Sequence, residues 1–360
     1  MRDKKVHLII DGTNFIYSKA PGFNEYFINL LSYFNESVNE YNLDITVYIL
    51  KGQSEYFNQF NNFKVNELIF SNSALRFLWQ NIILPFCGNK KSIFLFPANF
   101  APYFFNKKYL LVIHDLNYLI FPNNFSFSHL VYRKVFIKKS LLNAHKIISI
   151  SQFVSDEINK HFGINSVTIY NPLPSTINEN RFSENFMSLN LNGKSYILVI
   201  SSLSEHKNIY ECVRACELVN IINPSLNFVF IGNWKVESFV EMFNPPSNVI
   251  PLGFVNLDLK QKLITNSAAM LVPSVYEGFG YPYFEAILNK KYLLCSDIPI
   301  VNEFFHCDNL IREPYKCTNI FNAINNFLKS EKKEVNYELK NIQKLTDSYI
   351  KNQYLKTLFL

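Results

Sequence analysis

The sequence predicts an α/β protein made of two doubly wound, Rossmann-like domains. Short apolar runs alternate with amphipathic helical runs along the chain, which is the order expected of parallel sheets with helices on both faces. A chain of 360 residues is long enough for two domains with separate cores. Polar and glycine residues follow the predicted strands, and ligands bind beyond the carboxyl ends of such strands. Two such domains with facing carboxyl ends would enclose a cleft.

The predicted strands are apolar runs bounded by turn residues. They cover residues 6–11, 45–50, 92–97, 109–115, 146–151 and 166–170 in the first half, and 196–201, 226–232, 249–253, 268–273 and 292–296 in the second. Helical patterns intervene, for example at 24–34, 153–162, 209–219 and 320–328. The polar, proline-bearing run at 171–185 separates the two series. We therefore predict a linker there, with domains at 1–175 and 176–340.

Composition restricts the class of protein. Apolar residues make up 48% of the chain, which indicates a globular protein, and no apolar run approaches the ~18 residues of a membrane span. The N-terminus passes from charged residues directly into a predicted strand, so we expect no signal peptide and a cytoplasmic protein. The six cysteines form no CxxC pair and show no metal-ligand spacing, which favours buried free thiols over a metal site.

The net charge of +6 is unevenly distributed. Residues 1–180 hold 17 Lys and Arg against 12 Asp and Glu, whereas residues 181–360 hold 18 against 17. Part of the excess lies in a basic helical run from Tyr132 to Lys146. Such a helix could contact an anionic membrane surface or a lipid diphosphate, or it could be a solvated helix face. No nucleic-acid-binding motif accompanies it, so we expect no nucleic-acid partner.

One stretch, residues 270–288, predicts a ligand site. An apolar strand breaks at Pro273 into a loop that contains Gly278 and Gly280, and Pro282 fits the start of a helix. Glycines allow backbone N–H groups to approach a ligand, and a helix N-terminus attracts phosphate.

Two carboxylates, Glu277 and Glu285, belong to the same stretch. They would repel a bare phosphate but would accept hydrogen bonds from hydroxyls, and phosphate with a polyol describes a nucleotide sugar. Structural roles are the alternative: Glu285 is favourable in a first helical turn, and Glu277 could be an ordinary loop residue.

The segment EGFGYPYFEA resembles the signature of glycosyltransferase family 4. The resemblance implies a GT-B fold and a retaining, metal-independent glycosyltransferase. It also implies that Glu277 binds hydroxyls of the transferred sugar and Glu285 the ribose. The diphosphate would then contact the N–H groups around Phe279 and Gly280.

Other segments resemble the same family. Lys207 and Asn208 match a loop that holds the donor diphosphate, although Ser202 stands where an arginine is frequent. One usual phosphate contact is therefore missing, or is supplied by Lys290 or another cation. The segment Gly253-Phe254-Val255 resembles the loop whose backbone reads the nucleobase.

The first half resembles the family less closely. His114 occupies the position of a histidine that lies near the donor sugar. Gly12, Gly22 and Tyr26 resemble the loop and first helix on the acceptor side. Residues 341–360 resemble a C-terminal helix that crosses back to the N-terminal domain.

The resemblance implies transfer of a hexose from a nucleoside-diphosphate sugar, GDP-mannose or a UDP-sugar. The acceptor would be a growing cell-surface glycan such as O-antigen or capsule, carried as a polyprenyl-diphosphate-linked oligosaccharide at the inner face of the cytoplasmic membrane. No DxD motif occurs, and we expect no metal or other cofactor. Two alternatives remain. One is a sugar-nucleotide epimerase of the same fold. The other is a non-catalytic nucleotide-sugar-binding subunit, suggested by Ser202, Lys290 and Tyr292.

Overall fold

The structure, a computed structural model, describes residues 5–17, 21–174, 191, 195–307, 310–330 and 337–359. The chain divides into two compact units. Unit 1 comprises residues 1–172 together with 342–360, and unit 2 comprises residues 173–341. Most of the predicted linker at 171–185, including the predicted boundary near residue 175, lies outside the described residues.

Unit 1 contains a parallel sheet. Its strands, in chain order, are β1 (Val6–Asp11), β2 (Leu43–Ile49), β3 (Lys64–Glu67), β4 (Ile93–Phe96), β5 (Tyr109–Ile113), β6 (Lys146–Ser149) and β7 (Val167–Thr168). They lie in the order β3-β2-β1-β4-β5-β6-β7. The buried strands β4 and β5 read IFLF and YLLVI, the continuous apolar runs expected of strands covered on both faces.

Helices cover this sheet. They are α1 (Pro21–Ser37), α2 (Ser73–Leu78), α3 (Asn117–Ile120), α4 (Phe127–Asn143), α5 (Gln152–Phe162) and α12 (Asp347–Phe359). A π-helical turn at Trp79–Ile83 continues α2. The local sequence fixes α5 clearly, because the Ser151 hydroxyl accepts a hydrogen bond from the Val154 N–H and Gly163 ends the helix with φ of +67°.

Unit 2 repeats the architecture. Its strands are β8 (Tyr196–Ile200), β9 (Asn227–Ile231), β10 (Val249–Gly253), β11 (Ala269–Val272), β12 (Tyr292–Ser296) and β13 (Leu310–Ile311), in the order β10-β9-β8-β11-β12-β13. Its helices are α6 (Ile209–Ile222), α7 (Val236–Phe243), α8 (Leu257–Asn266), α9 (Tyr281–Leu288), α10 (Pro299–Phe304) and α11 (Cys317–Lys329). Cys212 and Cys216 pack in the core beneath β8 and β9 as buried free thiols.

Strand order creates one switch point in each sheet. In unit 1 the order reverses between β1 and β4, and in unit 2 it reverses between β8 and β11. Loops that leave the carboxyl ends of these strand pairs run in opposite directions, which opens a crevice for a ligand. The residues that follow β1, β4, β8 and β11 are therefore the first candidates for a functional site.

The predicted strands at 6–11, 249–253 and 292–296 have the observed bounds, whereas two observed strands, β3 and β13, were not predicted. Both lie at a sheet edge, and β13 has only two residues. β3 reads KVNE, which lacks an apolar run. The basic helix also extends further towards the N-terminus than predicted, because α4 begins at Phe127.

The last helix, α12, packs on α1 within unit 1. The hydroxyls of Tyr354 and Tyr26 lie 2.9 Å apart in the interior, and the Tyr33 hydroxyl donates to Asp347 Oδ1 at 2.5 Å. Near the end of the helix, Phe359 stacks on Tyr41. None of the helices in the described ranges is both long and apolar enough to cross a membrane.

Candidate functional site

Residues 273–280, which we call the glutamate loop, join β11 to α9. Gly280 precedes α9 with φ of +82°, a conformation that side chains rarely adopt, and an added Cβ would lie 2.3 Å from Tyr283 Cε2. The helix therefore begins close against the ring of Tyr283. α9 starts at Tyr281, so Pro282 occupies its second position, one residue later than predicted. Because Gly280 has no side chain, the positive end of the helix meets the loop without a cap from this residue.

Glu277 and Lys207 meet beside the switch point of unit 2. Lys207 Nζ lies 2.6 Å from Glu277 Oε1, and both side chains are largely withdrawn from solvent, with 18% and 9% exposed. The Val275 N–H donates to the His206 carbonyl at 2.8 Å, which ties the two loops together. A carboxylate and an ammonium group are thus held side by side, one after β8 and one after β11.

Asn208 follows Lys207 and fixes the loop that carries it. Its backbone is left-handed, with φ of 57°, which asparagine tolerates better than most residues. Its side-chain amide donates to the Pro273 carbonyl at 3.2 Å and to the Pro314 carbonyl at 2.7 Å. Both amide hydrogens are therefore engaged within the protein, and the side chain positions the loop that carries Lys207.

Glu285, in α9, forms the second ion pair. Its Oε1 accepts a hydrogen bond from Lys260 Nζ in α8. Its Oε2 is buried and has no hydrogen-bond partner within the described residues. A buried carboxylate oxygen without a donor is rare in a folded protein, so it is suited to accept a hydroxyl from a ligand.

Lys260 is the site residue that sequence reasoning missed. It lies one turn into α8, and no local motif in the sequence marks it. Lys290, suggested as a substitute cation, lies elsewhere. It is exposed and follows the C-terminal end of α9, whose eight residues span about 12 Å. That suggestion is wrong, because Lys290 is at the far end of the helix from the glutamate loop.

The segment Gly253-Phe254-Val255 lies at the carboxyl end of β10. Gly253 has φ of +67°, and an added Cβ would lie 2.7 Å from the Trp234 carbonyl oxygen. Its own carbonyl accepts a hydrogen bond from the Gly232 N–H at 2.9 Å, which joins the ends of β9 and β10. Phe254 follows with 55% of its surface exposed.

Phe279 is buried, in contrast. Its ring packs against Phe284 and Phe304 with centroids 4.8 and 5.1 Å away. The side chain of Phe279 is therefore part of the core, and the prediction assigns only its backbone N–H to the ligand.

His114 lies near the switch point of unit 1. Its Nε2 donates to the Pro97 carbonyl at 2.6 Å, and its ring meets the rings of Tyr26 and Phe23 edge to face. Burial lowers the pKa of His114, although the Pro97 carbonyl and Asp115 oppose this shift. The imidazole is therefore neutral at pH 7, with Nδ1 as its acceptor.

The predicted acceptor-side residues lie around the same end of β1. An added Cβ at Gly12 would lie 2.9 Å from the Tyr48 carbonyl oxygen, so the chain passes close to β2 there. Gly22 lies in the first turn of α1, and Tyr26 directs its hydroxyl to Tyr354. The ring of Tyr26 also contacts the ring of His114, with centroids 4.8 Å apart.

Asp11 ends β1 beside these residues. It accepts hydrogen bonds from the backbone N–H and hydroxyl of Thr13 and from the Gln80 amide. Burial raises the pKa of Asp11 above its ordinary value despite these donors and Arg76 nearby.

Comparisons with known proteins find relatives similar in sequence and in fold. Residues 181–344 match the profile of the family described as "Glycosyl transferases group 1". The chain is 24% identical over 198 residues to the O-antigen chain mannosyltransferase RfbU of Salmonella typhimurium, covering 54% of this chain and 53% of RfbU. The matched part spans about half the length of the curated relatives.

Solved structures extend the similarity over the whole fold. HepE of Anabaena, in complex with UDP and glucose, superposes with a TM-score of 0.67 at 15% identity, covering 98% of each chain. WaaG, a glycosyltransferase involved in lipopolysaccharide biosynthesis, superposes with a TM-score of 0.62 at 13% identity, covering 98% of this chain and 95% of WaaG.

Two parallel, doubly wound sheets with polar loops at their switch points define the GT-B class of protein, and the predicted fold class is confirmed. Within that class, residues 181–344 match the model of the glycosyl transferases group 1 family, and the chain is similar to the O-antigen chain mannosyltransferase RfbU.

Proposed function

We propose that this protein is a retaining glycosyltransferase. It moves a hexose from a nucleoside-diphosphate sugar to a growing, lipid-linked cell-surface glycan. The observation that carries the proposal is the pair of carboxylates in the glutamate loop and α9, each held by one lysine, with Glu285 Oε2 left without a donor among the described residues.

Three of the four ion-pair residues would each hold one part of the donor. Lys207 and the N-terminus of α9 would hold the diphosphate, because both supply positive charge at the same loop. Glu277 would accept hydrogen bonds from hydroxyls of the transferred sugar, and Glu285 Oε2 from a ribose hydroxyl. The contact of 2.6 Å between Lys207 and Glu277 means that a donor exchanges partners on binding. The donor's phosphate would contact Lys207 Nζ, and its sugar hydroxyls would donate hydrogen bonds to the Glu277 carboxylate.

Charge on the departing diphosphate is what the site must stabilise as the glycosidic bond breaks. Lys207 and the positive end of α9 are fixed before the reaction, so they stabilise that charge with little reorganisation. Retention requires the acceptor hydroxyl to attack from the face that the diphosphate leaves, and a phosphate oxygen would take its proton. Neutral His114 in unit 1 would line the sugar site. The chemistry needs no metal or other cofactor.

The relatives leave two donor classes open. RfbU is named for transfer of mannose into the O-antigen chain, which favours GDP-mannose, whereas HepE was solved with UDP and glucose. A polyprenyl-diphosphate-linked oligosaccharide is the acceptor that we propose, at the inner face of the cytoplasmic membrane. Melting temperatures measured with GDP, UDP, ADP and CMP would identify the nucleotide, since ligand at a hundred times its Kd adds about 2.7 kcal/mol.

The first prediction concerns Glu277. We expect Glu277→Ala to lower sugar transfer by about a hundredfold or more, because the sugar loses a positioned acceptor in the transition state. Affinity for the free nucleoside diphosphate should persist, whereas Lys207→Ala should weaken it. The assay follows nucleoside diphosphate release from GDP-mannose or UDP-glucose with lipid extract as acceptor.

Glu313→Ala is the control, because Glu313 is exposed and pairs only with Lys316 among the ion pairs of the described residues. Near-normal transfer by Glu277→Ala would refute the proposed role. Conversion of the donor without acceptor would indicate an epimerase. Nucleotide binding without transfer in the unsubstituted protein would indicate a binding subunit.

A further inference from the structure

One continuous part of unit 1 is almost free of acidic residues. Residues 68–155 contain ten Lys and Arg and a single carboxylate, Asp115. This segment therefore carries more positive charge than the whole chain, whose net charge is +6. It includes α2, α3 and α4.

The outer face of α4 combines apolar and basic side chains. Phe127, Val131, Val135 and Leu142 recur at the spacing of one helix face, and each is exposed, Phe127 by 83%. Lys134 and Lys138 lie on the same face and are also exposed. A water-facing helix surface normally carries polar residues, so four large apolar side chains in one stripe need a reason.

A second apolar stripe runs along α2 and the turns that follow it. Leu75, Leu78, Ile82 and Phe86 are exposed, Phe86 by 83%. The opposite side of this segment is buried at Trp79, Gln80 and Leu84. Large apolar side chains therefore lie on both sides of the segment, and only one side packs against unit 1.

Aromatic contacts pack α2 against α4, so the two exposed stripes lie on neighbouring helices. Phe77 of α2 packs against Tyr132 and Phe136 of α4, with ring centroids 6.0 and 5.9 Å apart. Lys139 Nζ lies 3.5 Å from the ring centroid of Tyr103, which also packs on Phe136. We call the exposed stripes of α2 and α4, with Lys134 and Lys138, the apolar-basic surface.

We propose that the apolar-basic surface docks onto an anionic lipid bilayer. Apolar side chains of an interfacial helix enter the acyl boundary, while its lysines remain at the headgroups. The excess of ten cations over one carboxylate complements the charge of anionic lipids. A second copy of this chain would bring the same positive charge to the contact and would be repelled.

Docking would also explain how a lipid-linked acceptor reaches the site, and this part of the inference rests on the proposed function. Arg76 in α2 donates to the Thr13 carbonyl at 3.3 Å, next to the predicted acceptor-side residue Gly12. Helix α2, which carries part of the apolar-basic surface, thus contacts the loop that follows β1. A polyprenyl chain held in the bilayer could present its sugar there without leaving the membrane.

Co-sedimentation of the full chain with vesicles tests the proposal. One set of vesicles contains phosphatidylcholine alone, and the other contains equal parts of phosphatidylcholine and phosphatidylglycerol. We expect salt-sensitive binding to the anionic set. The double variant Lys134→Gln/Lys138→Gln should bind about thirtyfold more weakly, from about a fivefold loss per cation near the surface. The variant Phe127→Ser/Val131→Ser should lose at least about tenfold.

Matched controls exist in unit 2. Lys235→Gln/Lys329→Gln removes two exposed cations, and Ile221→Ser/Ile222→Ser removes two exposed apolar side chains. Both should bind vesicles within about twofold of the unsubstituted protein.

Several outcomes would overturn the proposal. Equal binding to both vesicle sets, or full binding by both unit 1 variants, would do so. Sedimentation velocity could instead reveal a dimer that Phe127→Ser/Val131→Ser dissociates, which would assign the surface to a second copy. If the protein is a monomer and binds neither vesicle set, the apolar-basic surface would instead be assigned to an acidic protein partner. The proposed function is judged separately, because Glu277→Ala should still bind vesicles and the surface variants should still bind nucleoside diphosphate.

Discussion

At the scale of single residues, the two carboxylates of unit 2 differ in what their oxygens contact. Glu277 Oε1 accepts a hydrogen bond from Lys207, and Glu285 Oε1 accepts one from Lys260. The Oε2 atom of Glu285 is buried and has no donor among the described residues. Removing one partner of a buried ion pair leaves an uncompensated charge, which is costly. Lys260 therefore fixes the direction of Glu285, and under the proposed function it would position the ribose through Glu285.

Lys260→Met should separate this positioning role from diphosphate binding. We expect about a tenfold loss in affinity for the nucleoside diphosphate, or about 1.4 kcal/mol, and no change for inorganic pyrophosphate, which has no ribose. Lys207→Met should weaken both ligands. Calorimetric titration measures the two affinities, Lys262→Met in the same helix is the control, and Lys260→Arg should restore part of the loss. Equal weakening of both ligands by Lys260→Met would place Lys260 at the phosphates instead.

The sequence indicated both residues of the Lys207–Glu277 pair but only one residue of the Lys260–Glu285 pair. Glu277, Glu285 and Lys207 belong to local motifs, whose spacing along the chain is visible. Lys260 reaches Glu285 from a different helix, and the two residues are 25 positions apart. Such a contact depends on how α8 and α9 pack, which no local pattern encodes.

At the scale of elements, α9 depends on the glycine that precedes it. The mostly buried central strands β1 and β12 were predicted with their observed bounds, because burial of apolar residues gives a clear sequence pattern. The strands β3 and β13 were missed because β3 has no apolar run and β13 has only two residues. The start of α9 was predicted because glycine and proline mark it, although neither reveals how close Tyr283 lies to Gly280.

Gly280→Ala tests that closeness. The added Cβ would clash with Tyr283, which is packed in the interior, and the left-handed backbone would add strain of about 1–2 kcal/mol. We expect a loss of at least about 2 kcal/mol in free energy of unfolding, with weaker nucleotide binding.

Gly163→Ala is the matched control, measured by the same urea titration. Gly163 also has positive φ, at +67°, but nothing lies within 4 Å of the point that an added Cβ would occupy. Gly163→Ala should therefore lower the free energy of unfolding only by the backbone strain, about 1 kcal/mol. Equal losses at the two positions would mean that the contact with Tyr283 costs nothing.

At the scale of the whole molecule, unit 1 is discontinuous in sequence. The chain leaves it near Pro172, forms unit 2, and returns at Ile342 to add α12 against α1. Two tyrosine contacts hold this return, between Tyr26 and Tyr354 and between Tyr33 and Asp347. The returning helix was predicted only from the family resemblance. Its contacts with α1 join residues more than 300 positions apart, and no local sequence pattern reveals such contacts.

A double-mutant cycle measures the tyrosine contact. Tyr354→Phe leaves the buried Tyr26 hydroxyl without this partner, so we expect a loss of about 1–3 kcal/mol in free energy of unfolding. Tyr26→Phe should cost a similar amount. The double variant should cost less than the sum, because it leaves no orphaned hydroxyl in this contact. Strict additivity in urea unfolding would show that the two hydroxyls do not interact in solution.

The return of α12 also orders events during synthesis. Every residue of unit 2 is translated before residues 347–359, so unit 2 can finish folding while α1 still lacks its partner helix. Domains generally fold as units when their sequence has emerged from the ribosome. In this chain the unit that begins at the N-terminus is thus the later one to be completed.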